Sequence, residues 1–245
     1  MQLNFLGEDR VAVGDITLRY TPSGAGGTPD APVLVKDRGF IETYQELLVA
    51  HAPRRMLEFG IGEGGSALFH TELHGLDRFV GVDISDPSPG FEELLARRHL
   101  RARIRPYWTT SQDDAERLRL IVLREFADGL PDVVIDDASH LYGPSRRSFE
   151  IASPFLRKGG LYIIEDWAWA HWQHTQSPDS GWDRELALTN LIFELVMLLP
   201  STGLVRRIEV RQGLVLIEKS DADFDWARFR LDDLIRSRGR RPSPI

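Results

Sequence analysis

The chain has no cysteine in its 245 residues. That excludes disulfides, thiolate metal sites and cysteine nucleophiles, and it fits a reducing, cytoplasmic compartment. No apolar run approaches the roughly 18 residues that a membrane-spanning helix needs, so no membrane partner is expected. The opening Met1-Gln2-Leu3-Asn4-Phe5 lacks a basic segment ahead of an apolar core, and a secretory signal is not expected either. Excess basic charge is also missing: the formal net charge is -7, which argues against a dominant nucleic-acid-binding face. The short basic stretch Arg236-Ser237-Arg238-Gly239-Arg240-Arg241 reads as a solvated terminus. What remains is ordinary for a globular protein, with 42% hydrophobic and 27% charged residues. The length suits one large α/β domain with decorations.

Residues 1–35 read as an N-terminal arm, with the alternating runs Val11-Ala12-Val13 and Ile16-Thr17-Leu18 as a small hairpin. They end in a flexible loop, Thr21 to Pro32, rich in Gly, Pro, Ser and Ala. Residues 36–245 read as the main domain. A helix is expected from Gly39 to His51, stopped by Pro53. Strand-like apolar runs then alternate with helical segments: strands at 55–59, 78–83, 103–108, 132–136 and 161–164, and helices at 66–74, 91–99, 113–126 and 146–156. Glu185 to Leu199 follows as a strongly apolar helix, whose Phe193, Leu195, Val196, Leu198 and Leu199 belong to the core or a subunit interface. Val205–Val210 and Leu214–Lys219 flank Gln212-Gly213 as an antiparallel hairpin. Repeated βα units predict a mostly parallel sheet covered by helices on both faces. The predicted fold is therefore α/β and Rossmann-like, with seven strands and a C-terminal antiparallel hairpin.

The first βα turn is Glu58-Phe59-Gly60-Ile61-Gly62-Glu63-Gly64-Gly65-Ser66. Glycine lets a turn adopt positive φ and leaves room for a ligand against the backbone. A structural turn requires glycine too, so the cluster alone does not decide. Asp83 ends the next strand about 20 residues on, where a carboxylate can accept both ribose hydroxyls. A dinucleotide would share that geometry. Against it stand the glycine spacing and Glu58, whose carboxylate repels a pyrophosphate and suits a cationic, amino-acid-bearing cofactor. S-adenosylmethionine (SAM) is thus favoured over NAD. After the third strand, Gln112 or Asp113 is placed for the adenine amino group, while Ser111 or Asp113 also suits a helix N-cap. The expected cofactor residues are Glu58, Gly60, Gly62, Ser66 and Asp83, with Gln112, Asp113 and Asp136.

Val133-Val134-Ile135 runs into Asp136-Asp137-Ala138-Ser139-His140, and the following strand ends in Glu165-Asp166. Adjacent parallel strands deliver their C-terminal ends to one edge of a sheet, so these acids should converge. Carboxylates drawn together without a cation repel one another, and a hard divalent ion with oxygen ligands, such as magnesium, relieves that repulsion. His140, three residues after Asp137, is placed for general-base work.

The motif Asp136-Asp137-x-Ser139-His140 with Glu165-Asp166 one strand later resembles the metal-dependent O-methyltransferases that modify sugars of macrolides and related natural products, and also the cephalosporin-hydroxylase-like group. The similarity runs from about Arg55 to Trp167. It implies that Asp137, Glu165 and Asp166 hold magnesium, that His140 removes the acceptor hydroxyl proton with Asp137 in the catalytic set, and that Glu58, Gly60 and Asp83 bind SAM. The acceptor is then expected to be a small-molecule glycoside, methylated on a sugar hydroxyl, with the enzyme a homo-oligomer. The tryptophan-rich stretch beginning at Trp167 and Trp169 offers rings to stack on a sugar or polyketide face, and Tyr142 is either a substrate contact or a packed ring. Two other readings share the motifs: a catechol-like small-molecule O-methyltransferase and a non-catalytic SAM-binding module.

Overall fold

The computed structural model describes residues 3–22, 27–28, 30–177, 184–223, 225 and 228–244. It divides into two compact units, Met1–Ser111 and Gln112–Ile245.

The first unit holds two sheets. In the N-terminal one, β1 (Asn4–Phe5), β2 (Arg10–Val13), β3 (Ile16–Tyr20) and β4 (Val33–Leu34) lie in that order. β2 and β3 form the antiparallel hairpin that the alternation predicts, and β4 returns parallel to β3. Part of the expected Thr21–Pro32 loop, residues 23–26 and 29, lies outside the described residues. Next comes α1 (Arg38–Val49), where the Asp37 carboxylate accepts the Phe40 N–H at 2.8 Å. This satisfies one of the donors that a helix start leaves open.

Three parallel strands follow: β5 (Arg55–Phe59), β6 (Arg78–Val82) and β7 (Ile104–Tyr107). Helices α2 (Gly65–His74) and α3 (Pro89–Arg97) connect them. Register pairs Glu58 with Gly81 and Phe59 with Val82, so β5 and β6 end level. Met56, Leu57, Phe59, Phe79 and Val80 are buried to within 1%. Each such side chain stabilises the unit by about 1.5–3 kcal/mol relative to exposure.

The second unit begins with α4 (Ala115–Glu125), capped by Asp114, whose carboxylate accepts the Arg117 N–H at 3.1 Å. The cap is therefore neither Ser111 nor Asp113. β8 (Val133–Asp136) and β9 (Leu161–Glu165) are parallel neighbours, with α5 (Tyr142–Ala152) between them in the chain. The helix starts four residues before the position expected from sequence. Gly143 and Pro144 look like helix breakers, but in a first turn proline loses no hydrogen bond and its fixed φ suits the helix. After α6 (Thr189–Ser201), β10 (Val205–Val210) and β11 (Leu214–Lys219) form the hairpin, and β11 pairs antiparallel with β9. Leu195 and Leu198 of α6 enter the core, whereas Phe193 and Val196 are exposed. A short helix, α7 (Leu231–Leu234), which no sequence pattern announced, closes the unit. Among the described residues no helix is long and apolar enough to cross a membrane.

Candidate active site

In the first unit, β5 ends and the chain turns through four glycines into α2. Gly64 holds φ +84°, and a Cβ there would meet the Phe91 ring at 2.4 Å. At Gly65 a Cβ would meet the Val33 carbonyl oxygen at 1.9 Å, so that glycine serves the approach of β4 to the helix start. Asp83 cinches the turn: one carboxylate oxygen accepts the N–H groups of Ile61 at 2.9 Å and Gly62 at 2.8 Å, and the other accepts Ser85 N–H at 2.8 Å. An ionised carboxylate has about four acceptor positions, so capacity for one further donor remains. The predicted ribose acceptor thus also builds the loop. Glu58 is wholly buried, and the buried Ser66 hydroxyl at the start of α2 has no hydrogen-bond partner among the described residues. A buried hydroxyl left without a partner is costly, and a ligand against the helix start would relieve it. These residues therefore fit a bound cofactor.

In the second unit, β8 and β9 deliver their acids to one edge. Asp137, His140 and Asp166 bring ligand atoms within 4.8 Å of one another, and a Glu165 oxygen lies within the same distance of one of Asp137. His140 Nε2 is 3.9 Å from Asp137 Oδ1. Asp137, with an Asp166 oxygen and a Glu165 oxygen each within this reach of it, fits a hard divalent cation, which offsets the repulsion between carboxylates. The imidazole belongs to the same constellation, a feature that spacing along the chain did not reveal. His140 (φ 56°) and Asp166 (φ 51°) both adopt the left-handed backbone region, an uncommon conformation for non-glycine residues that costs about 1–3 kcal/mol each. The turns are thus held open to present these side chains rather than relaxed.

Asp136, expected among the cofactor residues, lies 2% exposed beneath the turn. Burial pushes its carboxyl pKa up, opposed by the nearby Ser145 hydroxyl, by His140 and by the hydrogen bond from Gln112. Tyr162 shares this pocket, and burial, with Asp136 beside it, drives its phenol well above the usual value. The adenine candidate Gln112 is itself buried, with its carboxamide hydrogen-bonded to Asp136, Ser139 and Ser148. Asp113 is exposed. Sequence spacing missed Ser145 and Ser148. Had α5 been started at Tyr142, the two would have been seen three residues apart on one helix face, turned toward Asp136.

The three proposed substrate contacts differ. Trp169 packs against the His140 ring, centroids 4.4 Å apart. Trp167 donates its indole N–H to the Arg211 carbonyl at 2.8 Å, which ties the β9 end to the β10–β11 turn. The Tyr142 hydroxyl donates to Glu194 at 2.6 Å, and burial first, then Glu194, pushes its pKa up to about 12. Tyr142 also borders a polar cavity of about 380 Å³ with Arg146, Arg147, Glu194, Asp232 and Arg241.

The fold is that of the class I methyltransferases, α/β with a mostly parallel seven-stranded sheet that ends in antiparallel strands. Residues 57–167 match the family model described as a methyltransferase domain. Over 134 residues the chain is 33% identical to L-olivosyl-oleandolide 3-O-methyltransferase of Streptomyces antibioticus, covering 52% of this chain and 31% of that protein. Over 125 residues it is 38% identical to mycinamicin VI 2''-O-methyltransferase of Micromonospora griseorubida, covering 48% and 28%. The chain thus spans about a third of the length of these curated relatives. Among solved structures, the MycE methyltransferase of the mycinamycin biosynthetic pathway, in complex with Mg, SAH and mycinamycin VI, aligns with TM-score 0.56 and 26% identity, over 73% of this chain and 49% of that one. A caffeoyl-CoA O-methyltransferase-like structure from Staphylococcus aureus, 16% identical with TM-score 0.57 over 76% of this chain and 86% of that one, shares the fold.

Proposed function

We propose that the chain is a SAM- and magnesium-dependent O-methyltransferase that methylates a sugar hydroxyl of a natural-product glycoside. The observation that carries the proposal is the meeting of Asp137, His140 and Asp166, with Glu165 beside Asp137, at the ends of two neighbouring strands. The names of the relatives, sugar O-methyltransferases of macrolides and tetracenomycins, support the acceptor class.

When bound, SAM supplies an electrophilic methyl group and the divalent cation supplies Lewis acidity toward vicinal acceptor oxygens. Glu58, Gly60, Gly62, Ser66 and Asp83 bind the donor, with Glu58 complementing its cationic amino-acid end. Asp137, Glu165 and Asp166 would hold the cation, which would supply charge stabilisation beside the acceptor hydroxyl. His140 takes the hydroxyl proton at Nε2, its nitrogen on the Asp137 side, and the resulting imidazolium lies next to the Asp137 carboxylate. The bound donor would supply the methyl group to the oxygen that His140 deprotonates and would be left as a neutral thioether.

The test is incubation with labelled SAM and a panel of rhamnosyl, olivosyl and related glycosides, with magnesium or EDTA, repeated with His140→Ala and Asp137→Ala. Label should reach the glycoside only with magnesium and both side chains intact. Transfer that survives EDTA and both substitutions would overturn the mechanism, and absence of SAM binding by calorimetry would overturn the cofactor.

A further inference from the structure

We propose that Gln112 is a positioning residue, one that locks the β8–α5 turn so that Asp137 and His140 are presented together. The inference rests on the roles given to those two residues above.

The carboxamide of Gln112 is 7% exposed with its residue and makes three side-chain hydrogen bonds. Its Nε2 donates to Asp136 Oδ1 at 3.0 Å and to Ser148 Oγ at 2.8 Å. Its Oε1 accepts the backbone N–H of Ser139 at 2.9 Å. Both amide hydrogens are therefore committed, and so is one of the two acceptor positions of Oε1. The partners bracket the turn. Asp136 is the last residue of β8, Ser139 directly precedes His140, and Ser148 lies two turns into α5. Ser148 is itself fixed, its hydroxyl lying 3.2 Å from the Gln112 carbonyl oxygen and 3.0 Å from that of Pro144. One side chain thus ties the strand end, the turn and the helix together.

What the tie opposes is visible in the backbone. His140 holds φ 56°, a conformation that persists only where the surroundings over-determine it. Two bonds act on the residues flanking it: Gln112 Oε1 on the Ser139 N–H, and Ser139 Oγ accepting the Leu141 N–H at 3.2 Å. Without the carboxamide, the Ser139 N–H and Asp136 Oδ1 lose their partner and the turn can relax toward an unstrained φ. Asp137, between the two anchored residues, would move with it. Groups that orient a metal ligand in this way typically govern affinity or activity by about 10–100-fold.

The test uses the full chain with Gln112→Ala and the milder Ser148→Ala, which removes an anchor but leaves the carboxamide in place. Hydrogen–deuterium exchange of peptides covering residues 137–142 is read alongside SAH affinity by calorimetry, and kcat and KM for SAM on an accepted glycoside. Exchange in the turn should rise selectively in both variants, with SAH affinity and the KM for SAM unchanged. For Gln112→Ala kcat should fall by about 10–100-fold, and less for Ser148→Ala. Unchanged exchange at 137–142 overturns the inference, as does weakened SAH binding with the turn still protected, which would make Gln112 a cofactor ligand. A rise in exchange across the whole second unit would mark a general structural role and overturn it too. If the unsubstituted protein methylates none of the glycosides, the functional reading falls on its own, and the exchange data still decide whether Gln112 holds the turn.

Discussion

The imidazole of His140 packs against the indole of Trp169, with centroids 4.4 Å apart and planes inclined by 38°. An aromatic pair of this kind contributes about 0.5–1.5 kcal/mol beyond its buried area. Trp169 therefore restrains the imidazole proposed as the general base. We expect Trp169→Ala to lower kcat by up to about tenfold, against a loss of about 10²–10⁴-fold for His140→Ala. Trp169→Phe should recover most of the rate. Steady-state kinetics with labelled SAM distinguish this from a sugar-stacking role, for which the acceptor KM would rise and kcat stay constant.

Removing one ligand charge from the acidic edge should be read directly in metal affinity. Asp137→Asn and Asp166→Asn are each expected to weaken Mn²⁺ binding by at least about tenfold, since a lost attraction of only ~1.4 kcal/mol corresponds to that factor. Electron paramagnetic resonance titration of free Mn²⁺ measures it without any acceptor. Wild-type affinity in both variants would show that the cation is held elsewhere.

Gly65→Ala should destabilise the first unit, because the new methyl would stand 1.9 Å from the Val33 carbonyl oxygen and β4 would have to move. Overpacking of this type costs about 1–3 kcal/mol. Chemical denaturation gives the stability loss, and calorimetry should show weaker SAM binding as the turn shifts with the helix start. An Ala variant as stable as wild type would mean that β4 yields freely.

His70 is completely buried between Tyr44, Phe69 and His74, and neither ring nitrogen has a hydrogen-bond partner among the described residues. Burial drives its pKa well below the usual 6.5 and that of neighbouring His74 to about 4. Between pH 6.5 and 4 the unfolded chain takes up protons that the folded unit refuses, so stability falls as pH drops through that window. His70→Leu removes one refused proton and one unsatisfied polar ring. It should stabilise the unit by about 1–3 kcal/mol, with the larger gain at pH 5 than at pH 8. Thermal unfolding at the two pH values tests this, and an equal or smaller gain at pH 5 would contradict it.

Much of the architecture could be read from the chain alone. The β5 run Arg55–Phe59 and the hairpin Val205–Val210 with Leu214–Lys219 fall where apolar runs and a Gln-Gly turn place them, because local periodicity and turn chemistry act over a few residues. The start of α5 was obscured because Gly143 and Pro144 disfavour a helix interior, whereas only the folded chain reveals that they occupy its first turn. The acids Asp137, Glu165 and Asp166 were likewise legible, since parallel strands carry their ends to one edge whatever the side-chain rotamers. The stacking of Trp169 on His140, the use of Asp83 to cinch its own loop and the burial of Gln112 among Asp136, Ser139 and Ser148 were not. Those depend on side-chain direction and on contacts between residues some 20 to 40 positions apart. The sequence determined which chemical groups arrive at the strand ends, and the tertiary structure alone decided which of them are committed to holding the others in place, because hydrogen-bond partners are assigned by packing in space and not by order along the chain.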